Sequence, residues 1–204
     1  GPHVNESDYY FTVNDEGAIR FGLGAIKGVG GGAVEALVAD REENGPYASI
    51  FDLCKRLDLR TVNKKTLEGL ALAGAFDGFE GHHRALFFYE DGDGRSFLER
   101  AMRFGNAVQQ QAASAQASLF GGTDDMEIPE PILPQVEPWD KIEALRKEKE
   151  VVGIFITGHP LDDFKVEMEY FCNAHLCYFK FPEKNIGKEI RVAAIITSVE
   201  HLTT

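Results

Sequence analysis

The sequence predicts a mainly α fold: a tandem helix-hairpin-helix domain, entered through a short N-terminal β-hairpin and followed by a lone C-terminal strand. Three observations predict it. Residues 23–38, LGAIKGVGGGAVEALV, put Leu23 and Ile26 before Gly28-Val29-Gly30, and Val34, Leu37 and Val38 after it. That is the spacing of two helices joined by a glycine hairpin. Residues 50–72 repeat the design, with Ile50, Phe51, Cys54 and Leu57 before a turn and Leu67, Leu70 and Leu72 after it. Apolar residues 9–13 and 18–21 flank Asn14-Asp15-Glu16-Gly17, which reads as two short strands around a turn.

The first hairpin carries the chemistry. Glycine at 28 and 30 allows positive φ and close backbone approach, and Val29 plugs the gap between the helices. The N–H groups of the turn and of the next helix's first turn then point outward, where they suit a phosphate. Lys27, Gly28, Val29, Gly30 and Gly31 are the candidates, and phosphate contact of this kind reads no base sequence. The stretch also satisfies the dinucleotide pattern G-x-G-x-x-A at residues 28–33. That pattern needs an unbroken buried strand before the first glycine, and Gly22 and Gly24 interrupt it here. A glycine turn between two core helices is the plainer alternative.

The second hairpin, 59–62, lacks glycine but lies in a basic run: residues 55–65 hold Lys55, Arg56, Arg60, Lys64 and Lys65 against Asp58 alone. Asn63 is the expected helix cap, so Lys64 and Lys65 open the following helix. Arg60, Asn63, Lys64 and Lys65 are therefore candidate phosphate contacts, against the alternative of a solvated helix face. Helices are expected at 31–43, 49–58, 64–74, 82–90, 95–117 and 140–150. Residues 121–138 carry four prolines among acids and read as an extended linker. Residues 189–199, EIRVAAIITSV, read as a strand, expected to open a further, truncated β domain.

Composition bounds the partners. The 204 residues are 44% hydrophobic, enough for a core, and no apolar run approaches membrane-spanning length. Three sparse cysteines suit a reducing cytoplasm. The net charge of −12 argues against coating nucleic acid by bulk charge, so any contact must be local. Cys172, His175 and Cys177 lie close in sequence, but their spacing is not that of a zinc site. His159-Pro160 reads as a structural turn, while His82 and His83 either meet DNA or open a helix.

The stretches AIRFGLGAIKGVG (18–30), NKKTLEGLALAGAFD (63–77), HHRALF (82–87), QASLFG (116–121) and LRKEKEVVGIFITGHPLDDF (145–164) together resemble the alpha subunit of bacterial DNA polymerase III, the C-family of replicative polymerases. The resemblance implies that 1–20 close the fingers region and that 21–120 form a tandem helix-hairpin-helix domain on duplex DNA. It further implies a linker at 121–138, a helical connector at 139–186 and the first strand of a truncated OB-fold at 187–204. Gln116, Ser118, Leu119 and Phe120 resemble the internal motif that binds the beta sliding clamp; tucking back onto the helices is the alternative. Other subunits of the holoenzyme are implied as partners, in the cytoplasm. The family's catalytic aspartates lie in the palm, where Mg2+ would bind. No catalytic residue, metal ligand or cofactor is therefore expected here. The remaining readings are a scaffold with little DNA affinity, or a DNA-repair protein, which the clamp-like segment and the strand oppose.

Overall fold

The computed structural model describes residues 1–204 except 15–16, 118–127, 197–198 and 202–204, and leaves the side chains of 115–117 undescribed. The chain divides into two compact units, Gly1–Ile156 and Thr157–Thr204.

In the first unit, strands β1 (Thr12–Val13) and β2 (Ile19–Arg20) pair antiparallel, Thr12 opposite Arg20 and Val13 opposite Ile19. Helices follow as α1 (Gly31–Asn44), α2 (Ile50–Arg56), α3 (Lys64–Leu72), α4 (Arg84–Phe87), α5 (Phe97–Ala117) and α6 (Lys141–Val152). The capping residues explain several boundaries. Ser49, Asn63 and Asp140 each accept a backbone N–H three residues on, from Asp52, Thr66 and Glu143. Gly153, in the left-handed conformation at φ 86°, ends α6. The strands are shorter than expected, and so is α4, because the chain turns after it so that Glu90 bridges Ser96 and Phe97 N–H bonds the Tyr89 carbonyl.

The core centres on α2 and α5. Phe51 meets Phe97 and Phe104 edge-on at 5.6 and 5.7 Å. Gln109 of α5 donates to the carbonyls of Cys54 and Leu57 at 2.9 and 2.8 Å, closing the end of α2. Burial pushes the Cys54 thiol up to about 12, so it packs as a neutral apolar group.

Residues 128–140, expected within or beside the extended linker, carry no helix or strand but lie against the helices. Ile128 and Leu133 pack on the core. Glu130 pairs with Lys55 at 2.6 Å, His83 bonds the Val136 carbonyl at 3.0 Å, and Trp139 stacks on Phe88 at 5.5 Å.

The second unit holds α7 (Lys165–Phe171) and short 3-10 turns. The strand expected at 189–199 does not form among its described residues, 189–196 and 199. A strand needs a neighbour to satisfy its backbone, and among the described residues only Asn173 and Ala174 bond across, Asn173 to Glu189 and Arg191 and Ala174 to the Arg191 carbonyl. The segment expected to open the OB-fold thus carries no strand among these residues.

Candidate nucleic-acid interface

The first hairpin runs from a 3-10 turn, Leu23–Ala25, into α1. Leu23, Ile26, Val29, Ala33 and Val34 are buried, so the hairpin is fixed from beneath by the apolar spacing read in the sequence. Gly28 has φ 88°, which an L side chain rarely adopts. Gly30 does not: it caps α1 at φ −84°, and a Cβ there would meet nothing within 4 Å. The expectation that both glycines take positive φ is corrected on this point. Gly28→Val is thus expected to cost about 2–3 kcal/mol, since its conformation strains a β-branched residue. Gly30→Val should cost roughly 1 kcal/mol or less, as a poorer cap only. Denaturant unfolding of the two variants checks the contrast, and equal losses would remove this account of the turn.

Not every hairpin amide faces outward. Lys27 N–H is taken by the Val151 carbonyl of α6 at 2.8 Å, and Val29 N–H by Ile26 at 3.1 Å. The N–H groups of Gly28, Gly30, Gly31 and Gly32 have no protein acceptor among the described residues. Three of these belong to the cap and first turn of a 14-residue helix, so the helix dipole adds to their attraction for an anion.

The second hairpin is built by Asp58, whose carbonyl accepts from Thr61 and Val62 and whose carboxylate accepts from Arg60 N–H. This bond holds the Asp58 carboxyl below its usual range. Asn63 spends its side-chain oxygen on capping α3. Arg60 is 93% exposed and leans on Asp58 at 3.2 Å. Lys64 donates to Glu99 at 2.9 Å and lies 3.6 Å from Glu68. The Glu99 bond raises the Lys64 ammonium and, from the other side, lowers the Glu99 carboxyl. Lys55 faces Glu130, and Arg56 faces Asp40 and Asp52 at 2.6 and 3.1 Å. The basic run is therefore less free than its composition indicates, since acids far along the chain neutralise part of it.

The two hairpins touch. Lys65, exposed at the start of α3, lies so that its Cε and Cγ are 3.3 and 3.4 Å from where a Gly28 Cβ would stand. Thr66 Oγ1 donates to the Gly28 carbonyl at 3.5 Å, and a Cβ at Gly69 would stand 3.0 Å from the Lys27 carbonyl. Thr66 and Gly69 escaped the sequence reading. The only signal was a glycine interrupting an otherwise good helix, where it ordinarily costs stability. The outcome is one surface on which Lys27 and Lys65, neither with an ion-pair partner among the described residues, stand near the open amides of the first hairpin.

Of the remaining candidates, the side chain of Gln116 and the residues Ser118, Leu119 and Phe120 lie outside the described residues. His82 stacks on Phe87 and bonds the Glu80 carbonyl at 2.8 Å; burial lowers its pKa. His82 and His83 thus serve packing and the 128–140 segment rather than the hairpin surface.

A family model described as a helix-hairpin-helix motif matches residues 1–86. The DNA polymerase III subunit alpha of Vibrio cholerae is 36% identical over 204 residues, covering 100% of this chain and 17% of that protein. The same subunit of Escherichia coli K12 is 33% identical with the same coverage. That of Pseudomonas aeruginosa is 38% identical over 192 residues, covering 88% of this chain and 16% of its own length. The chain spans about one-sixth of the length of these relatives. Among the described residues no helix is long and apolar enough to cross a membrane. Matched over its whole length by one segment of the Vibrio cholerae and Escherichia coli proteins, the chain belongs to the DNA polymerase III subunit alpha family.

Proposed function

We propose that this chain is a non-catalytic, duplex-DNA-holding region of a bacterial replicative polymerase, working in the cytoplasm. The observation that carries the reading is the junction of the hairpins, where open amides at Gly28 and Gly30–Gly32 lie beside Lys65 and Lys27. Amides and the helix dipole hold a phosphate without reading bases, and the lysines add local charge that a chain of net −12 otherwise lacks. Arg60, Asn63 and Lys64 extend this surface. A phosphate would compete with Glu99 for Lys64, and the exchange costs little because exposed ion pairs are weak.

Phosphoryl transfer would need carboxylates free to hold Mg2+. The donor set here does not fit. Asp40, Asp77, Glu99 and Glu148 each face a guanidinium or ammonium. Among the described residues no group of three or more His, Cys, Asp or Glu is placed to hold a metal. The proposal puts the catalytic step and its metal ions elsewhere in the polymerase.

The test is titration with a labelled primer–template duplex across salt concentrations, beside a Lys27→Glu, Lys65→Glu variant. The slope of log affinity against log salt should fall in magnitude by about 2 in the variant, one phosphate per lysine. Unchanged affinity and slope would favour the second reading, a scaffold whose hairpins pack against other polymerase segments. The internal pairing of Lys55, Arg56 and Lys64 is the observation on its side.

The clamp tether is the finer part of the proposal. Leu119 and Phe120 would fill an apolar pocket of the beta sliding clamp, with Gln116 and Ser118 orienting them. Burial of the two side chains supplies about 3–6 kcal/mol before ordering costs. Leu119→Ala with Phe120→Ala should abolish clamp binding and leave duplex binding unchanged. Retained clamp affinity in that variant would refute the motif. Contact with other holoenzyme subunits is part of the same reading.

A further inference from the structure

A second face of the first hairpin has different chemistry. Helix α1 turns Glu35, Val38, Ala39 and Glu42 toward a groove of about 490 Å³. These residues stand at i, i+3, i+4 and i+7, one stripe of the helix. The opposite wall is Tyr9 and Tyr10, which meet edge-on at 4.9 Å. Tyr9 is wedged in place, its ring 2.6 Å from where a Gly24 Cβ would stand. Tyr10 is 77% exposed.

The stripe fits neither a solvated face nor a core. Solvated faces do not put an aliphatic pair beside two tyrosines packed edge to face, and cores do not end in unpaired acids. Asp8, at the same groove, is already held by Arg41 at 2.7 Å. Glu35 and Glu42 have no ion-pair partner among the described residues, and two helical turns separate them by about 10 Å.

We propose that this groove docks a basic amphipathic helix of another protein chain. Its aliphatic residues at i+3 and i+4 settle over Val38 and Ala39 beneath Tyr10. Its lysines or arginines at i and i+7 reach Glu35 and Glu42, because two helices side by side share the same rise. Charge complementarity selects this occupant. Nucleic acid is repelled by the two carboxylates, and a second copy of a chain of net charge −12 brings the wrong sign. The proposal does not depend on the phosphate-holding surface.

The test uses the 204-residue chain and a synthetic amphipathic helical peptide with Leu at i+3 and i+4 and Lys at i and i+7, titrated by calorimetry. Glu35→Lys with Glu42→Lys should weaken binding at least tenfold, and Tyr10→Ala severalfold, with circular dichroism and duplex binding retained. Glu167→Lys with Glu169→Lys, the same charge change on exposed residues of α7, should leave affinity within twofold. Equal weakening by both pairs would mean bulk charge attraction and overturn the site, as would absence of binding to the parent chain. Single-stranded oligonucleotide binding that is lost in Tyr10→Ala would also overturn it, assigning the groove to nucleic acid.

Discussion

Gly105→Ala is expected to destabilise the first unit by about 2–3 kcal/mol, the upper part of the overpacking range. Helix propensity alone predicts the opposite sign, since alanine for an interior glycine ordinarily gains about 1 kcal/mol. The structure decides between them. A Cβ at position 105 would lie 2.3 Å from the Cys54 carbonyl oxygen and 2.6 Å from its carbonyl carbon. These are backbone atoms of α2 and cannot rotate aside, so α5 must lift away. The edge contacts of Phe51 and the two bonds from Gln109 loosen with it. Gly32→Ala is the matched control in α1, where a Cβ meets nothing within 4 Å. Thermal unfolding should show a fall of roughly 5–10 °C for the first variant and none for the second, at about 2–4 °C per kcal/mol for a chain of this size. A Gly105→Ala protein as stable as its parent would overturn the α2–α5 packing described above.

Glu148→Ala is expected to cost about 3 kcal/mol or more. Glu148 is fully buried, yet it lies in DKIEALRKEKE, a segment whose composition reads as solvated helix. One carboxylate oxygen accepts from Arg84 at 3.0 Å and the other from Ile156 N–H at 2.5 Å. Arg84 also grips Asp77. Removing the carboxylate leaves a guanidinium 11% exposed with half its anionic partners, and orphans a backbone donor. Glu148→Gln keeps the shape and one acceptor, so its loss should be about half as large. Combining Glu148→Ala with Arg84→Met should recover part of the single-variant cost, because the unpaired cation is removed too. If the two losses simply add, the buried pair does not hold α6 to the core. Because Lys27 N–H bonds the Val151 carbonyl of α6, loosening α6 also loosens the first hairpin.

These two residues mark where sequence reading stops. The helices, their caps at Ser49 and Asn63 and the first glycine hairpin were legible because each depends on neighbours within a few residues. Periodicity places Ile26, Val29 and Val34 inward whatever packs against them. Lys64 was legible as a first-turn cation, but not as the partner of Glu99, 35 positions away. Residues 128–140 were legible as extended, but not as packed on Lys55, His83 and Phe88. The strand at 189–199 was legible as a propensity, and a propensity forms no ladder without a second strand.

By itself, then, the sequence determined a mainly helical chain with two hairpins, a local excess of cations at the second, and membership of a polymerase subunit family. Only the tertiary structure decided which glycines mark backbone crossings, which charges are already spent, and that the hairpins share one surface. The physical reason is range. Backbone propensity and capping act over three or four residues, whereas ion pairs, close approach and strand pairing join residues that only the folded chain brings together.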